Sequence, residues 1–251
     1  MRIVQVHTMR VLCLILASDT SPEHVQFQAI WRRFMHLHPD VDCYFYKARP
    51  DLHEDTVLED RTLWIRMNDT LDTVYEKTLK AFDYFLPHLH AYDFLYRSNL
   101  STAVSFKHML EFCEDLPKTN CCAAVTGGIH PSVPQSQRDS RKFPRSFPGG
   151  NGFLLSPDLV RRLLEDKEPL DFQDDVTIGN ALRRWNIAIH EFVRPDYTNS
   201  QSWHVNNYPL LRAHERSLDP KKILFTYRLK TDDRKKDVEE MNRLIRLIYS
   251  V

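Results

Sequence analysis

The stretch "AYDFLYRSNLSTAV", residues 91–104, opens as a buried strand and closes as a polar tip. Tyr92, Phe94, Leu95 and Tyr96 give the near-continuous apolar run that a strand covered on both faces requires. Arg97, Ser98, Asn99, Ser101 and Thr102 follow at once. Asp93 lies well back in the strand, so the tip itself carries no carboxylate.

Strands of this kind alternate with helices along the chain. Residues 10–19 read as a strand, 21–38 as an amphipathic helix with Pro22 near its first turn, and 41–48 as a second strand. After a polar connection, 62–67 read as strand and 71–89 as helix. Then 92–98 is strand, 103–116 helix and 120–128 strand. Farther on come a glycine turn at 149–152 with a short strand, and a helix with Ser156 as N-cap and Pro157 first. A helix over 171–185 starts with acidic residues, strands follow at 186–192 and 223–230, and 237–249 is an amphipathic helix. This alternation predicts an α/β fold, with a mostly parallel central sheet and helices on both faces. Ligands of such sheets sit beyond the carboxyl ends of the strands. Ala17, Ser18, Asp19 and Thr20 close the first strand and Arg97 to Thr102 a later one, so both groups are expected at one rim.

With 251 residues and 42% hydrophobic content, the chain suits one large domain or two small ones. Lys plus Arg equals Asp plus Glu, 34 against 34, so the global field that would draw nucleic acid or an anionic membrane is missing. Phosphate recognition would have to be local. Five cysteines without a CxxC pair match a reducing compartment rather than a disulfide framework. The apolar run at 9–18 is too short to span a bilayer and lacks a good cleavage site, so a cytoplasmic protein without membrane insertion is expected.

Regularity fails over about 129–148, where four prolines forbid a long helix or a central strand. A mobile or functional loop is expected there. Its Arg138, Arg141, Lys142 and Arg145 are either cations for a ligand or a solvated face. The "HLH" triplets at 36–38 and 88–90 lack a third metal ligand nearby in sequence. Cys121 and Cys122 read as core residues, and Trp203 either as a core or rim aromatic or as a platform for a sugar face.

Three features in order carry a resemblance. They are the strand ending in a polar triplet, "GGNGFLLSPDLV" from Gly149, and "DDVTIGNALRRWNI" from Asp174. Over roughly residues 9–195 the chain resembles GT-A fold glycosyltransferases of the Fringe and beta-1,3-galactosyltransferase kind. "YEKTLKAFDYF" is similar to the helix before their triplet, with Lys77 and Thr78 matching. The resemblance implies a single GT-A-like domain over 1–251, with its C-terminal strand and helix at about 221–251. It also implies an inverting transfer of a sugar from a nucleotide-diphosphate donor, such as a UDP-sugar, to a carbohydrate hydroxyl.

By that resemblance Asp175 is the general base, with Asp174 in reserve. A positioned carboxylate that removes the attacking hydroxyl's proton is worth about 10²- to 10⁴-fold. Without the resemblance, both aspartates would read as residues favouring a helix N-terminus. Ala17, Ser18, Asp19 and Thr20 would receive the nucleotide. Lys77, Arg97, Ser98, Asn99 and Ser101 would hold ribose, phosphates or sugar, and Gly150, Asn151 and Gly152 would shape the pocket. The chain departs from its relatives at the triplet, where "SNLS" replaces acidic residues. A manganese or magnesium ion is therefore left open: either it is held weakly with help from a residue such as His204 or His214, or cations such as Lys77, Arg97 and Arg228 replace it. The rival readings are a noncatalytic nucleotide-sugar-binding module and a nucleotidyltransferase.

Overall fold

The computed structural model describes residues 8–127, 147–166, 173–192, 202–205 and 225–250. Its strands are β1 (Val11–Leu16), β2 (Val41–Ala48), β3 (Thr56–Glu59), β4 (Thr62–Ile65), β5 (Phe94–Asn99), β6 (Thr102–Val104), β7 (Cys122–Gly127), β8 (Phe147–Leu155), β9 (Ile189–Glu191), β10 (Ser202–Val205) and β11 (Thr226–Leu229). Its α-helices are α1 (Pro22–Phe34), α2 (Val74–Phe85), α3 (Phe106–Glu114), α4 (Pro157–Glu165), α5 (Asp174–Arg184) and α6 (Arg234–Tyr249). The main sheet runs β3-β4-β2-β1-β5-β8-β7-β9, and β10-β11-β6 form a smaller one.

The central sheet is mostly parallel, as the alternation requires. β1 pairs in parallel with β2 and β5, β2 with β4, and β7 with β9. β8 is inserted antiparallel between β5 and β7, and β3 runs antiparallel to β4 at the edge. Because successive side chains point to opposite faces, each strand feeds two cores. On one face Val11, Cys13, Ile15, Phe94 and Tyr96 meet Phe27, Trp31 and Phe34 of α1 and residues of α3 and α6. On the other, Leu12, Leu14 and Leu95 meet α2, α4 and α5.

Local signals place the helices well. Ser21 Oγ accepts from His24 N at 3.2 Å, Pro22 follows at the first position, and Phe27, Trp31 and Phe34 recur at helical spacing to bury one face of α1. Ser156 sits at the N-cap of α4, but its Oγ accepts instead from Cys121 N at 3.0 Å, tying the helix start to β7.

The structure differs from the local readings at four places. Ala103 and Val104 belong to β6 rather than to a helix, because β11, distant in sequence, pairs with them. The polar connection contains β3, and 202–205 contain β10. The glycines at 149–152 are not a turn: they lie within β8. Gly152 takes φ +130° there, and a Cβ on it would meet the Tyr96 hydroxyl oxygen at 2.3 Å, so the strand can cross the buried phenol only as glycine. The expected loop over about 129–148 and its basic residues fall almost wholly outside the described residues, as does His214. No helix among the described residues is long and apolar enough to cross a membrane.

Candidate active site

A cavity of about 260 Å³ opens at the carboxyl ends of β1 and β5, where the rim was expected. Its walls come from Leu16, Ala17, Ser18 and Thr20 after β1, Asn99, Leu100 and Ser101 after β5, and Asp69 to Lys77 around the start of α2. Arg228 of β11, Arg234 of α6 and His24 of α1 complete it. The tip is held in place from below. Trp31 Nε1 donates to Leu100 O at 2.9 Å, Leu229 N donates to Ser101 O at 2.8 Å, and β11 sets Arg228 opposite Thr102.

Side-chain alternation divides the predicted residues. Asn99 lines the cavity and its Nδ2 donates to Gly150 O, which also accepts from Arg228 Nη1 at 2.9 Å. Ser101 and Lys77 line it too, with Lys77 Nζ 2.5 Å from Asp69 Oδ1. Asp19 lies beside the cavity rather than in its wall. It pairs with Lys47 Nζ at 2.5 Å and accepts from Gln28 Nε2 at 2.8 Å; burial opposes its charge, but these partners prevail and hold its pKa below the ordinary value. Ser98 is buried and is not part of the cavity wall, and its Oγ donates to Asn99 O at 3.4 Å. Asn151 is buried as well, and its carbonyl accepts from Thr102 Oγ1 at 3.1 Å.

Arg97 was expected at the rim and is not there. It is 2% exposed, beneath the sheet on the α2–α5 side, with Nη2 2.6 Å from Asp174 Oδ2. Burial opposes its charge, yet the Asp174 carboxylate more than offsets this and its pKa is raised. Asp174 Oδ2 also accepts from Thr78 Oγ1 at 3.1 Å, and Thr78 in turn contacts Tyr46 OH at 3.1 Å. The reserve base is thus locked in a buried network. The matched Lys-Thr pair of α2 divides its work, Lys77 to the cavity and Thr78 to that network.

Asp175 stands differently. It is only part-buried, its Oδ1 accepts from Val176 N at 2.8 Å, and a Cβ on Gly150 would lie 3.6 Å from its Oδ2 and 3.7 Å from Asn99 Nδ2. The carboxylate does not itself line the cavity; it stands beside Gly150, whose carbonyl accepts from the cavity residues Asn99 and Arg228. Burial and the neighbouring negative charge of Asp174 raise its pKa against the pull of Arg97 and Arg228, which suits it to accept a proton.

Sequence reasoning missed Asp69, His24 and Arg234 in the walls, and carried Arg228 only as one cation among many. None lies in a recognisable motif, and the period-2 placing of Arg228 in "FTYRLK" was the only signal. Among the described residues no group of three His, Cys, Asp or Glu side chains could hold a metal ion. Among the described residues Asp69 is the one carboxylate in the cavity wall, and it is committed to Lys77, so this set fits a hard divalent cation poorly.

No protein-family model and no curated protein sequence matches the chain. Solved structures do resemble it. One is a glycosyltransferase involved in the glycosylation of the major capsid of PBCV-1, with TM-score 0.49 and 11% identity over 92% of this chain and 99% of that one. Another is the galactosyltransferase LgtC in complex with donor and acceptor sugar analogs, with TM-score 0.47 and 12% identity over 96% of each chain. The bifunctional IspDF from Campylobacter jejuni gives TM-score 0.45 and 13% identity over 76% of this chain and 52% of that one. At such values the chemistry of the site rests on this chain's own residues.

Proposed function

We propose that the chain is a glycosyltransferase that takes a sugar from a nucleotide-diphosphate donor, a UDP-sugar for preference, and passes it to a carbohydrate hydroxyl with inversion. The observation that carries this is a part-buried carboxylate of raised pKa, Asp175, beside Gly150, whose carbonyl is held by Asn99 and Arg228 of the cavity at the strand ends. The ordered motifs "GGNGFLLS" and "DDVTIG" support the same reading.

In the reaction Asp175 removes the proton of the acceptor hydroxyl as its oxygen attacks the anomeric carbon. The bond from that carbon to the diphosphate oxygen breaks in line, and the leaving nucleoside diphosphate keeps the electron pair. Ala17, Ser18 and Thr20 border the nucleotide, while Asn99 and Ser101 offer hydrogen bonds to ribose, phosphate or sugar. Asp174 and Arg97 do not touch substrate; their ion pair fixes the start of α5 and with it Asp175.

The test is turnover of a panel of UDP-sugars with carbohydrate acceptors, following nucleotide products. Release of a nucleoside diphosphate with a new glycosidic bond, lost in Asp175→Asn, supports the reading. Pyrophosphate as the product would assign a nucleotidyltransferase, and donor binding unchanged in Asp175→Asn without any transfer by the parent would assign a binding module.

A further inference from the structure

The charges around the cavity do not cancel. Among the described residues the wall carries three cations, Lys77, Arg228 and Arg234, and one carboxylate, Asp69; with Asp237 pairing Arg234 from behind, the excess is one positive charge. His24 adds no charge of its own at neutral pH, because burial and the nearby Arg234 lower its pKa. Two of the cations are matched: Lys77 by Asp69 and Arg234 by the buried Asp237. No carboxylate forms a direct ion pair with Arg228 among the described residues, and Asp175 acts on it only at longer range. Its Nη1 donates to Gly150 O at 2.9 Å, and its buried Nε has no hydrogen-bond partner among the described residues. Burial, Arg97 and Arg234 all work against its charge and push its pKa down. A guanidinium held in this way is stabilised by any anion that enters the cavity.

The neutral tip gives this excess charge a purpose. A departing nucleoside diphosphate develops negative charge on its terminal phosphate, which must be met in a partly dry site. The tip supplies amide and hydroxyl groups where carboxylates would be needed to hold a divalent ion. We propose that this cavity binds the donor's diphosphate without a resident divalent cation, Arg228 donating to it directly and supplying the unmatched positive charge, with the ion-paired Lys77 and Arg234 as further N–H donors in the wall. The proposal rests on the glycosyltransferase reading for the identity of the leaving group. No proton passes to the diphosphate: Asp175 takes the acceptor's proton, and the guanidinium neutralises the oxygen released from the anomeric carbon.

Calorimetric titration with inorganic pyrophosphate and with UDP, in chelator and then with manganese, tests it. Both anions are expected to bind in chelator, and Arg228→Met to weaken them about 10- to 100-fold through the loss of charge-assisted hydrogen bonds. Leu71 is 72% exposed and lines the cavity, so Leu71→Glu places a carboxylate there without disturbing the core. That variant should melt like the parent and bind pyrophosphate more weakly, which keeps the test decisive should Arg228→Met fail to fold. Binding that appears only with manganese, or that Leu71→Glu leaves unchanged, overturns the proposal. The two readings fail separately. Strict metal dependence of transfer sinks the metal-free site and spares the glycosyltransferase, whereas pyrophosphate binding in chelator with no turnover of any nucleotide sugar does the reverse.

Discussion

Replacing Asp174 by Asn probes the buried ion pair beside Asp175, the proposed base. Arg97 and Asp174 are 2% and 3% exposed, and their closest atoms stand 2.6 Å apart. Asp174 also accepts from Thr78 Oγ1 at 3.1 Å and from Asp175 N at 2.9 Å. Asn keeps the shape but removes the charge, leaving a guanidinium whose Nε and Nη1 already have no partner among the described residues. Breaking a buried pair from one side costs about 3–5 kcal/mol, a large part of the ~5–15 kcal/mol that stabilises a folded domain. At about 2–4 °C per kcal/mol for a chain of this size, the melting temperature should fall by about 6–20 °C. Removing both charges with Arg97→Met/Asp174→Leu should recover most of the loss, because no uncompensated charge then remains. Urea denaturation at pH 7 of the parent, Arg97→Met, Asp174→Leu and Arg97→Met/Asp174→Leu measures the cycle, with Asp174→Asn beside them. A loss under ~1 kcal/mol, the range of exposed pairs, or a double variant no more stable than the weaker single one, would refute the reasoning. The substitution also reaches the site: without its neighbour's negative charge Asp175 becomes more acidic, so the acid limb of the transfer rate should move to lower pH.

Other outcomes follow from the same geometry. Asp175→Asn should lower the transfer rate by about 10²- to 10⁴-fold. It should also make the fold more stable at neutral pH: the folded pKa of Asp175 lies above its ordinary 3.8, so the unfolded chain releases that proton first and stability falls as pH rises through the window from 3.8 upward. Melting curves of parent and variant should therefore diverge above that pH and converge below it. Gly152→Ala combines a left-handed backbone with a Cβ 2.3 Å from the Tyr96 hydroxyl oxygen and should cost about 2–6 kcal/mol in denaturant titration. Tyr96→Phe should rescue it only in part, since a ring carbon would still lie at 2.7 Å. Trp31→Phe removes the 2.9 Å bond that holds Leu100 O and should cost about 1–3 kcal/mol, with faster amide exchange at the tip than in the parent.

The order of strands and helices was written in the chain, because hydrophobic period depends only on neighbouring residues. The run at 41–48 became β2 over the same span, and Ser21-Pro22 opened α1. The rim was legible for a similar reason: "LILASDT" and "YRSNLS" each break from apolar to polar, and parallel strands must end on the same side. The ordered motifs singled out Asp175. What the chain could not show is which way each side chain faces and which distant segments pair. Arg97 and Asn99 share one face of β5, yet only Asn99 lies far enough along to line the cavity, while Arg97 is drawn beneath it to Asp174. The glycines read as a turn until Tyr96 of the adjacent strand showed why one of them must lack a side chain. Arg228 reached the cavity through β11 pairing with β6, a contact between segments far apart in the chain. Composition and period thus determined the layers and the place where a ligand can sit. The charge that ligand meets was decided by tertiary pairing, since electrostatics in a cavity depends on distances that no local pattern encodes.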